Sequence, residues 1–381
     1  MPKNIVICCD GTGNEIEEAQ SNVLKLYRIL KRNQRQLVYY HPGIGTMGAN
    51  NGWDSLKQKA RGIFGLATGA GLDKNILHAY DFLSRHYEDG DQLYFFGFSR
   101  GAYTVRALAG FICAVGLLRP EQLHLANYAL NAYKKMRDNN RTQSTRLFEQ
   151  ALKVEYPVIQ FMGLWDTVAS VLVPKANMLF LPTMKFLAFT RENPLVAKVR
   201  HAIAIDERRS MFRPYLWADK GEHWRNPYND SGAKAQDIKQ RWFAGVHSDI
   251  GGGMPEADAG LSKFPLNWMI DEAGPGLWTI KATRNQIANG DKRAKSSWDY
   301  SKPDAGAKLH NSLTAGWWPL ELWPKRIKHR EWPKRWNLFG LYLPIGEPRF
   351  IAADADIDPS ARTRQTLRED YRPVNLPPKA Q

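Results

Sequence analysis

Cysteine is scarce in this sequence, and so are the features that mark exported or membrane-spanning chains. The 381 residues include three cysteines, two of them adjacent (Cys8 and Cys9), and such a set cannot form a disulfide framework. No apolar run reaches the roughly eighteen residues that a transmembrane helix needs. The first predicted strand begins at Asn4, which leaves no room for a signal peptide. We therefore expect a cytoplasmic protein, or one secreted without a cleaved signal.

Two kinds of binding site are also missing. A phosphate-binding loop would carry Gly-Lys-Ser or Gly-Lys-Thr after the first strand, whereas the loop there reads Asp10-Gly-Thr-Gly-Asn14. No His/Cys cluster has the spacing of metal ligands, so neither a metal nor another cofactor is expected. Acidic residues are in deficit as well: 53 Lys and Arg against 38 Asp and Glu give a net charge of +15. That excess favours anionic partners such as a phospholipid surface.

The most informative stretch is Asp91-Gln-Leu-Tyr-Phe-Phe-Gly-Phe-Ser-Arg-Gly101. Residues 93–96 have the composition of a strand, residues 97–101 match G-x-S-x-G, and residues 102–113 have the apolar character of a buried helix. Strand, tight turn and helix are the context of a nucleophile elbow, in which glycines let strand and helix approach closely around a strained serine. We therefore predict Ser99 as the nucleophile; the alternative is a chance Gly/Ser pattern in an ordinary turn.

Apolar runs of strand length alternate with helical patterns along the chain. Strands are predicted at residues 4–9, 37–41, 93–96, 157–165 and 240–247, and helices at 22–31, 72–87 and 102–113. Residues 199–206 could form either a helix or a strand. This alternation argues for a parallel sheet with helices on both faces.

Two residues that come later in the chain than Ser99 could complete a catalytic triad with it: Asp166 and His247. Asp166 follows strand 157–165 at its carboxyl end, where an α/β hydrolase places the acid of its triad. The alternative is that this aspartate caps the next helix. His247 ends the predicted last core strand, 240–247, and opens a Gly-rich loop from which it could reach the serine. The order Ser, Asp, His is that of α/β hydrolases. Three further residues are reserve candidates for the triad: His201, Asp206 and His310.

The Gly-rich turn after the first strand offers backbone N–H groups to whatever lies above the sheet edge. Such a turn is either a plain tight turn or part of an oxyanion hole. With a nucleophile at Ser99, we predict an oxyanion hole made by the backbone N–H groups of Gly11, Thr12 and Arg100.

Six short motifs occur in order from the N-terminus to residue 252: Cys-Asp-Gly-Thr-Gly-Asn14, Pro-Gly-Ile-Gly-Thr46, Gly-Phe-Ser-Arg-Gly-Ala-Tyr103, Gly-Leu-Trp-Asp-Thr-Val168, His-Ala-Ile-Ala-Ile-Asp-Glu-Arg208 and Trp-Phe-Ala-Gly-Val-His-Ser-Asp-Ile-Gly-Gly252. Together they resemble the uncharacterised α/β-hydrolase family that includes the catalytic domain of type VI secretion phospholipase effectors. The resemblance implies a Ser-Asp-His hydrolase and places Ser99, Asp166 and His247 on the family's motif positions. It does not name the substrate.

The fold class that follows is α/β, an α/β-hydrolase-like domain with a mostly parallel central sheet flanked by helices. We predict one domain over residues 1–350, with helical or loop cap insertions at about 115–155 and 170–200 and a polar C-terminal tail over 351–381.

The C-terminal third interleaves tryptophans with cations. Residues 317–336 contain five tryptophans and six Lys or Arg residues. This mixture suits a membrane interface or a nucleic acid, and the alternative is a solvated basic face with the tryptophans packed inward. As partners we expect an ester or lipid substrate and, through residues 317–336, peripheral contact with an anionic membrane. Nucleic acid is not expected, and the oligomeric state is open.

The expected reaction is the hydrolysis of a carboxylic ester. His247, oriented by Asp166, would take the proton of Ser99, which attacks the ester carbonyl to form an acyl-enzyme. The apolar residues between 172 and 189 and the basic charge favour lipid or phospholipid acyl esters. The alternatives are a soluble esterase acting on small or carbohydrate-linked esters, and a non-catalytic, basic Trp-rich binding module on a hydrolase scaffold.

Overall fold

A seven-stranded sheet forms the centre of the protein, as a computed structural model describes it. The structure describes residues 2–11, 19–43, 70–136, 143–168, 172–173, 183–184, 186–225, 231–292, 299–326, 332 and 336–378. The strands are, in chain order, β1 (Asn4–Cys9), β2 (Gln36–His41), β3 (Gln92–Phe98), β4 (Ile159–Trp165), β5 (Lys198–Ala204), β6 (Asp237–Phe243) and β7 (Asp356–Ile357). Their order across the sheet is β7-β6-β5-β4-β3-β1-β2, and every neighbouring pair is parallel.

Ten α-helices lie in the described ranges: α1 (Asn22–Ile29), α2 (Ala70–His86), α3 (Arg100–Val115), α4 (Ala126–Lys134), α5 (Gln143–Leu152), α6 (His247–Gly251), α7 (Lys263–Ala273), α8 (Lys281–Asn289), α9 (Trp318–Glu321) and α10 (Pro359–Leu367). Short 3₁₀ turns occur at Pro120–Leu125, Ser210–Phe212, Glu256–Asp258 and Ala315–Trp317. Three two-stranded ribbons pair Leu172–Val173 with Thr183–Met184, Glu222–His223 with Lys234–Ala235, and Lys325–Arg326 with Leu341–Tyr342.

The helices cover both faces of the sheet because the strands are apolar on both sides. In β1, alternate side chains enter two different clusters: Ile5 and Ile7 pack with α2, α3 and α4, whereas Val6 and Cys8 pack with α1, α7 and α8. A strand that is buried on both faces reads as a continuous apolar run, and β1 is buried along its whole length. None of the helices in the described ranges combines the length and apolarity that crossing a bilayer would need.

The sheet order reverses between β1 and β3, and this position determines where a site can form. Helix α1 follows β1 on one face, whereas α3 follows β3 on the other. The chain therefore leaves the carboxyl ends of two adjacent strands in opposite directions, which opens a crevice between them. Cys9, at the end of β1, lies opposite Gly97 of β3, two residues before Ser99.

The predicted alternation of strands and helices is confirmed, and the open prediction for residues 199–206 resolves to strand β5. Two boundaries differ. Strand β6 is not the last core strand, because β7 pairs beside it through Arg241 and Trp242. β5 also begins at Lys198, inside the insertion predicted at 170–200.

The polar C-terminal stretch packs on the sheet and is not set apart from it. Ala361 and Tyr371 are buried in one cluster with Ile203 and Trp242, and the Asp358 N–H donates to the Trp242 carbonyl at 2.8 Å. Residues 351–378 of the predicted polar tail therefore pack on the sheet, since a few spaced apolar residues suffice to cover its edge beside β6. Similarly, α4, within the predicted 115–155 insertion, packs in the core cluster of α3.

Candidate active site

Ser99 lies in a strained turn between β3 and α3. Its backbone has φ 57° and ψ −119°, a conformation that costs a non-glycine residue about 1–3 kcal/mol. The flanking glycines make the close approach possible. A Cβ on Gly101 would lie 2.1 Å from the Cys9 carbonyl oxygen, and one on Gly97 would lie 2.5 Å from the Gly101 carbonyl oxygen. The strand, tight turn and helix that the sequence predicts around Ser99 are therefore present.

The structure brings the three predicted triad residues into one hydrogen-bonded chain. Ser99 Oγ lies 2.8 Å from His247 Nε2, and His247 Nδ1 lies 2.5 Å from Asp166 Oδ2. All three side chains are buried. Ser99 follows β3 and Asp166 follows β4, so two of them meet because parallel strands end at the same edge. His247 begins helix α6 rather than ending a strand as predicted.

Asp166 is held by a buried arginine that the sequence analysis missed. Arg349 donates from Nη1 to Asp166 Oδ1 at 2.5 Å and from Nη2 to Asp166 Oδ2 at 2.9 Å, and the Ala204 N–H donates to Oδ1 at 3.0 Å. Burial alone would raise the pKa of Asp166, but the charge of Arg349 and the hydrogen bond of His247 outweigh it and hold that pKa well below its ordinary value. The carboxylate is therefore ionised and fixed on both oxygens.

His247 is enclosed by aromatic rings. The ring of Phe98 lies 4.7 Å from the imidazole and the ring of Phe212 lies 4.9 Å from it, centroid to centroid. Burial lowers the pKa of His247 below its ordinary value, and the hydrogen bond and charge of Asp166 offset this only in part. The imidazole is therefore neutral near pH 7, and its Nε2 can accept a proton from Ser99 once Nδ1–H is donated to Asp166.

Glu207 supports the backbone that carries His247. Its carboxylate accepts from the His247 N–H at 3.2 Å, from Arg209 Nη2 at 2.8 Å and from Ser312 Oγ at 2.9 Å. Burial would raise the pKa of Glu207, but the hydrogen bonds and charge of Arg209 lower it, so this buried carboxylate is ionised. Glu207 lies inside one of the six motifs, and this is the sequence feature that could have identified it as a site residue.

The reserve histidines have structural hydrogen-bond partners. His201 Nε2 accepts from the Thr167 N–H at 3.1 Å, and burial, with the charge of Arg106, lowers the pKa of His201 to about 3. His310 Nδ1 lies 2.5 Å from Asp249 Oδ1, within the turn of α6. His201 thus positions the residue after Asp166, and His310 braces the helix that His247 begins.

The reserve carboxylate, Asp206, is bound to the loop before α6. Asp206 Oδ2 accepts from the Gly245 N–H at 2.7 Å and from the Tyr371 hydroxyl at 2.9 Å. Burial raises the pKa of Asp206 to about 6. These two hydrogen bonds join the sheet edge to the C-terminal stretch and do not lead to the Ser99 hydroxyl.

The predicted oxyanion hole is only partly visible. The Gly11 N–H donates to Asp10 Oδ1 at 2.6 Å, so Gly11 would have to exchange this acceptor before it could serve a substrate. Thr12 lies outside the described residues. Arg100 is the first residue of α3, where backbone N–H groups have no acceptor within the helix and the dipole favours negative charge. Burial also lowers the pKa of the Arg100 guanidinium to about 10.

The tryptophans of the basic Trp-rich region, 317–336, fall into two groups. Trp317 packs against Phe212 at 5.4 Å between ring centroids, and Trp332 packs against Phe350 at 5.4 Å, so both follow the inward-packed alternative. Trp323 and Trp336 are exposed, as is Trp318. Residues 327–331 and 333–335 of this region lie outside the described ranges. So do residues 174–182 and 185 of the apolar stretch 172–189, on which the expectation of a lipid substrate partly rests.

Metal ligands are not grouped in the part of the chain that the structure describes: no set of three His, Cys, Asp or Glu side chains there could hold an ion. A strained serine, a neutral histidine and a fixed carboxylate in hydrogen-bond contact can perform nucleophilic attack with general base assistance.

Comparison with protein families matches residues 3–272 to "T6SS, Phospholipase effector Tle1-like, catalytic domain". Among curated proteins, the uncharacterized protein YEL023C of Saccharomyces cerevisiae is 34% identical over 226 residues, which is 55% of this chain and 32% of that protein. The chain thus spans about a third of the length of this relative.

Two solved structures are similar at lower levels. An uncharacterized protein from Pseudomonas aeruginosa is 19% identical, with a TM-score of 0.38, over 74% of this chain and 47% of that one. The Tle1 effector, solved bound to the VgrG spike from the type 6 secretion system, is also 19% identical, with a TM-score of 0.37, over 68% of this chain and 52% of the other. The chain therefore covers about half the length of each of them.

Proposed function

Because the chain belongs to the Tle1-like family of type VI secretion phospholipase effector catalytic domains, we propose that it is a serine hydrolase of lipid carboxylic esters. Family membership supports a hydrolase of lipid esters in general. The proposal adds the mechanism, an acyl-enzyme on Ser99, and the preferred substrate, a phospholipid acyl ester. The observation that carries it is the hydrogen-bonded chain from Ser99 Oγ through His247 to Asp166, at 2.8 Å and 2.5 Å.

The geometry supports a two-step reaction. His247 Nε2 takes the Ser99 proton while the serine oxygen attacks the ester carbonyl, and Asp166 stabilises the imidazolium that forms. The imidazolium then gives its proton to the leaving alcohol, and the acyl group stays on Ser99. In the second step His247 deprotonates a water, which releases the fatty acid and restores the serine. Arg100 N–H, at the start of α3, is the donor best placed by its element for the oxyanion.

Charge and family together favour a lipid over a soluble ester. The net charge of +15 attracts the chain to anionic surfaces, where phospholipid substrates lie. A small or carbohydrate-linked ester would make no use of that charge.

The proposal is tested with purified protein and its Ser99→Ala variant on p-nitrophenyl butyrate, p-nitrophenyl palmitate and phospholipid vesicles, with free fatty acid as the readout. We expect hydrolysis of the long-chain ester and the phospholipid, and a loss of at least about 10³-fold in kcat for Ser99→Ala. Equal rates for the two proteins would refute Ser99 as the nucleophile. Turnover of the butyrate alone would favour the soluble esterase.

A further inference from the structure

The exposed apolar side chains of the protein are concentrated in one short part of the chain. Within the described ranges, fifteen large apolar side chains are exposed, and nine of these lie between Trp318 and Phe350. Single exposed apolar residues are ordinary on a protein surface, whereas a cluster of this kind marks a contact surface. Five of the nine lie within residues 336–345, which we call the apolar hairpin: Trp336, Leu338, Phe339, Leu343 and Ile345.

The tip of the apolar hairpin is strained. Leu338 and Leu341 exchange two backbone hydrogen bonds of 2.9 Å each, so Phe339 and Gly340 are the two turn residues between them. Their φ angles are 48° and 75°, the positive values of a type I′ turn, for which asparagine followed by glycine is the favoured pair. A bulky aromatic residue is unfavourable in that conformation.

The Phe339 side chain at this tip is barely buried by the rest of the protein. Phe339 is 95% exposed, and Trp336 on the preceding arm is 73% exposed. Ile345, on the other arm, is a β-branched residue that also has a positive φ, 47°. The fold thus bears the cost of strain and of exposed apolar area at one place. Such a cost is explained if a partner covers the hairpin.

The hairpin is joined to the wall of the candidate active site. Ile345 N–H donates to the Glu321 carbonyl at 3.2 Å, and a Glu321 carboxylate oxygen accepts from the Ser210 N–H at 2.7 Å. Ser210 begins the turn that ends at Phe212, whose ring packs on His247. Four residues beyond Ile345, Arg349 binds Asp166. A partner that binds the hairpin therefore lies on a segment connected, through Glu321 and Arg349, to residues that border the triad.

Charge decides which partner fits. The whole chain carries 53 Lys and Arg against 38 Asp and Glu, a net charge of +15. Two copies of a chain with this charge repel each other, which opposes a dimer formed through the hairpin. A bilayer that contains anionic lipids accepts apolar side chains and attracts a positively charged protein at the same time.

We propose that the apolar hairpin inserts into the interface of an anionic bilayer and brings the triad to its lipid substrate. Phe339 and Trp336 enter the boundary between headgroups and acyl chains, with Leu338 beside them. This inference deepens the proposed function and rests on it for the substrate, but membrane binding itself requires no catalysis.

Binding is therefore measured by flotation with the Ser99→Ala protein, which cannot consume the lipid. The vesicles are phosphatidylcholine alone or phosphatidylcholine with phosphatidylglycerol. Phe339→Asn is the test substitution, because Asn-Gly is the preferred type I′ pair and the hairpin keeps or gains stability. Tyr128→Asn, on α4, is the matched control: Tyr128 is an aromatic residue that is 71% exposed outside the hairpin.

We expect binding to the anionic vesicles, weakened roughly ten-fold by Phe339→Asn and unchanged by Tyr128→Asn. On Ser99-containing protein, Phe339→Asn should leave hydrolysis of p-nitrophenyl butyrate unchanged and reduce hydrolysis of vesicle phospholipid. Equal binding of the Phe339→Asn and parent proteins would overturn the proposal. So would a dimer in solution that Phe339→Asn dissociates, since a second copy would then cover the hairpin. Vesicle binding without any esterase activity would leave this inference standing and refute the proposed function instead.

Discussion

The stretch from β3 to α6 and the stretch from residue 299 to 378 both reach the triad, but they contribute different kinds of groups. The first supplies Ser99, Asp166 and His247, the residues of the proposed triad. The second contributes no member of the triad; it supplies Arg349, which fixes Asp166, and Trp317, which packs on the Phe212 ring beside His247. The second stretch also lies outside residues 3–272, which match the family. The proposed triad thus comes from one part of the chain, and some of the groups that hold it in place come from another.

The difference follows from how each stretch is placed. The ends of parallel strands meet at one edge of the sheet whatever the intervening sequence, so Ser99 and Asp166 are neighbours by topology. Arg349 reaches the same carboxylate from 183 residues away, from a segment that is neither helix nor strand. Its contacts with Asp166, Ala204 and Phe212 are all made by its guanidinium group. We therefore expect substitutions of the triad residues in the first stretch to abolish ester hydrolysis. Substitutions in the second stretch should only lower its rate or shift its pH dependence.

The largest effect is expected for His247→Gln. The variant removes the base while a similar volume remains, and we expect kcat on p-nitrophenyl esters to fall by at least about 10⁴-fold. His310→Gln is the matched control, because His310 contacts Asp249 rather than Ser99, and it should stay within about ten-fold of the parent. A greater loss in His310→Gln than in His247→Gln would reverse the assignment of the base.

Gly101→Ala should disrupt the first stretch by packing alone. The new Cβ would lie 2.1 Å from the Cys9 carbonyl oxygen, so strand β1 or the Ser99 turn must move. We expect the free energy of unfolding to fall by about 3 kcal/mol, measured by urea denaturation. Gly316→Ala is the control, since a Cβ there meets nothing within 4 Å. Equal stability of the two variants would show that the close approach is not required.

Arg349→Gln tests the second stretch. Loss of the two-pronged contact should lower kcat roughly 10- to 100-fold, as loss of an orienting partner does elsewhere. Asp166 would then act on His247 without the opposing charge of Arg349. The pKa of His247 should rise, and the acidic limb of the pH–rate profile should move to higher pH. Arg349→Lys keeps the charge and should leave that limb near the parent's position. Identical pH profiles for all three proteins would make Arg349 a packing residue only.

The smallest expected effect is the position of the acidic limb in the pH–rate profile of the parent protein. Burial lowers the pKa of His247, so the neutral base persists below the ordinary histidine pKa of about 6.5. As the pH falls through the folded-state value, His247 gains a proton and can no longer accept one from Ser99. The acidic limb of kcat/KM should therefore lie below about pH 6.5. A limb clearly above that value would mean that Asp166, rather than burial, dominates the environment of His247.

Sequence patterns could predict the first stretch because its signals are local. Apolar runs marked the buried strands β1, β3 and β4, and Gly97 and Gly101 marked the close approach around Ser99. Strand β7 had no such signal, since a two-residue Asp-Ile strand is too short to show a period. Arg349 was one cation among 53 Lys and Arg residues. The bond from the Gly11 N–H to Asp10 is likewise a side-chain orientation that no pattern of residues reveals.

The central claim is that Ser99 is a nucleophile activated by His247, and labelling with a fluorophosphonate probe tests it most directly. We expect the parent protein to be labelled, with the adduct mapped to Ser99 by mass spectrometry, and the His247→Gln variant to be labelled far more slowly. Folded parent protein that does not react, or an adduct on a residue other than Ser99, would contradict the account.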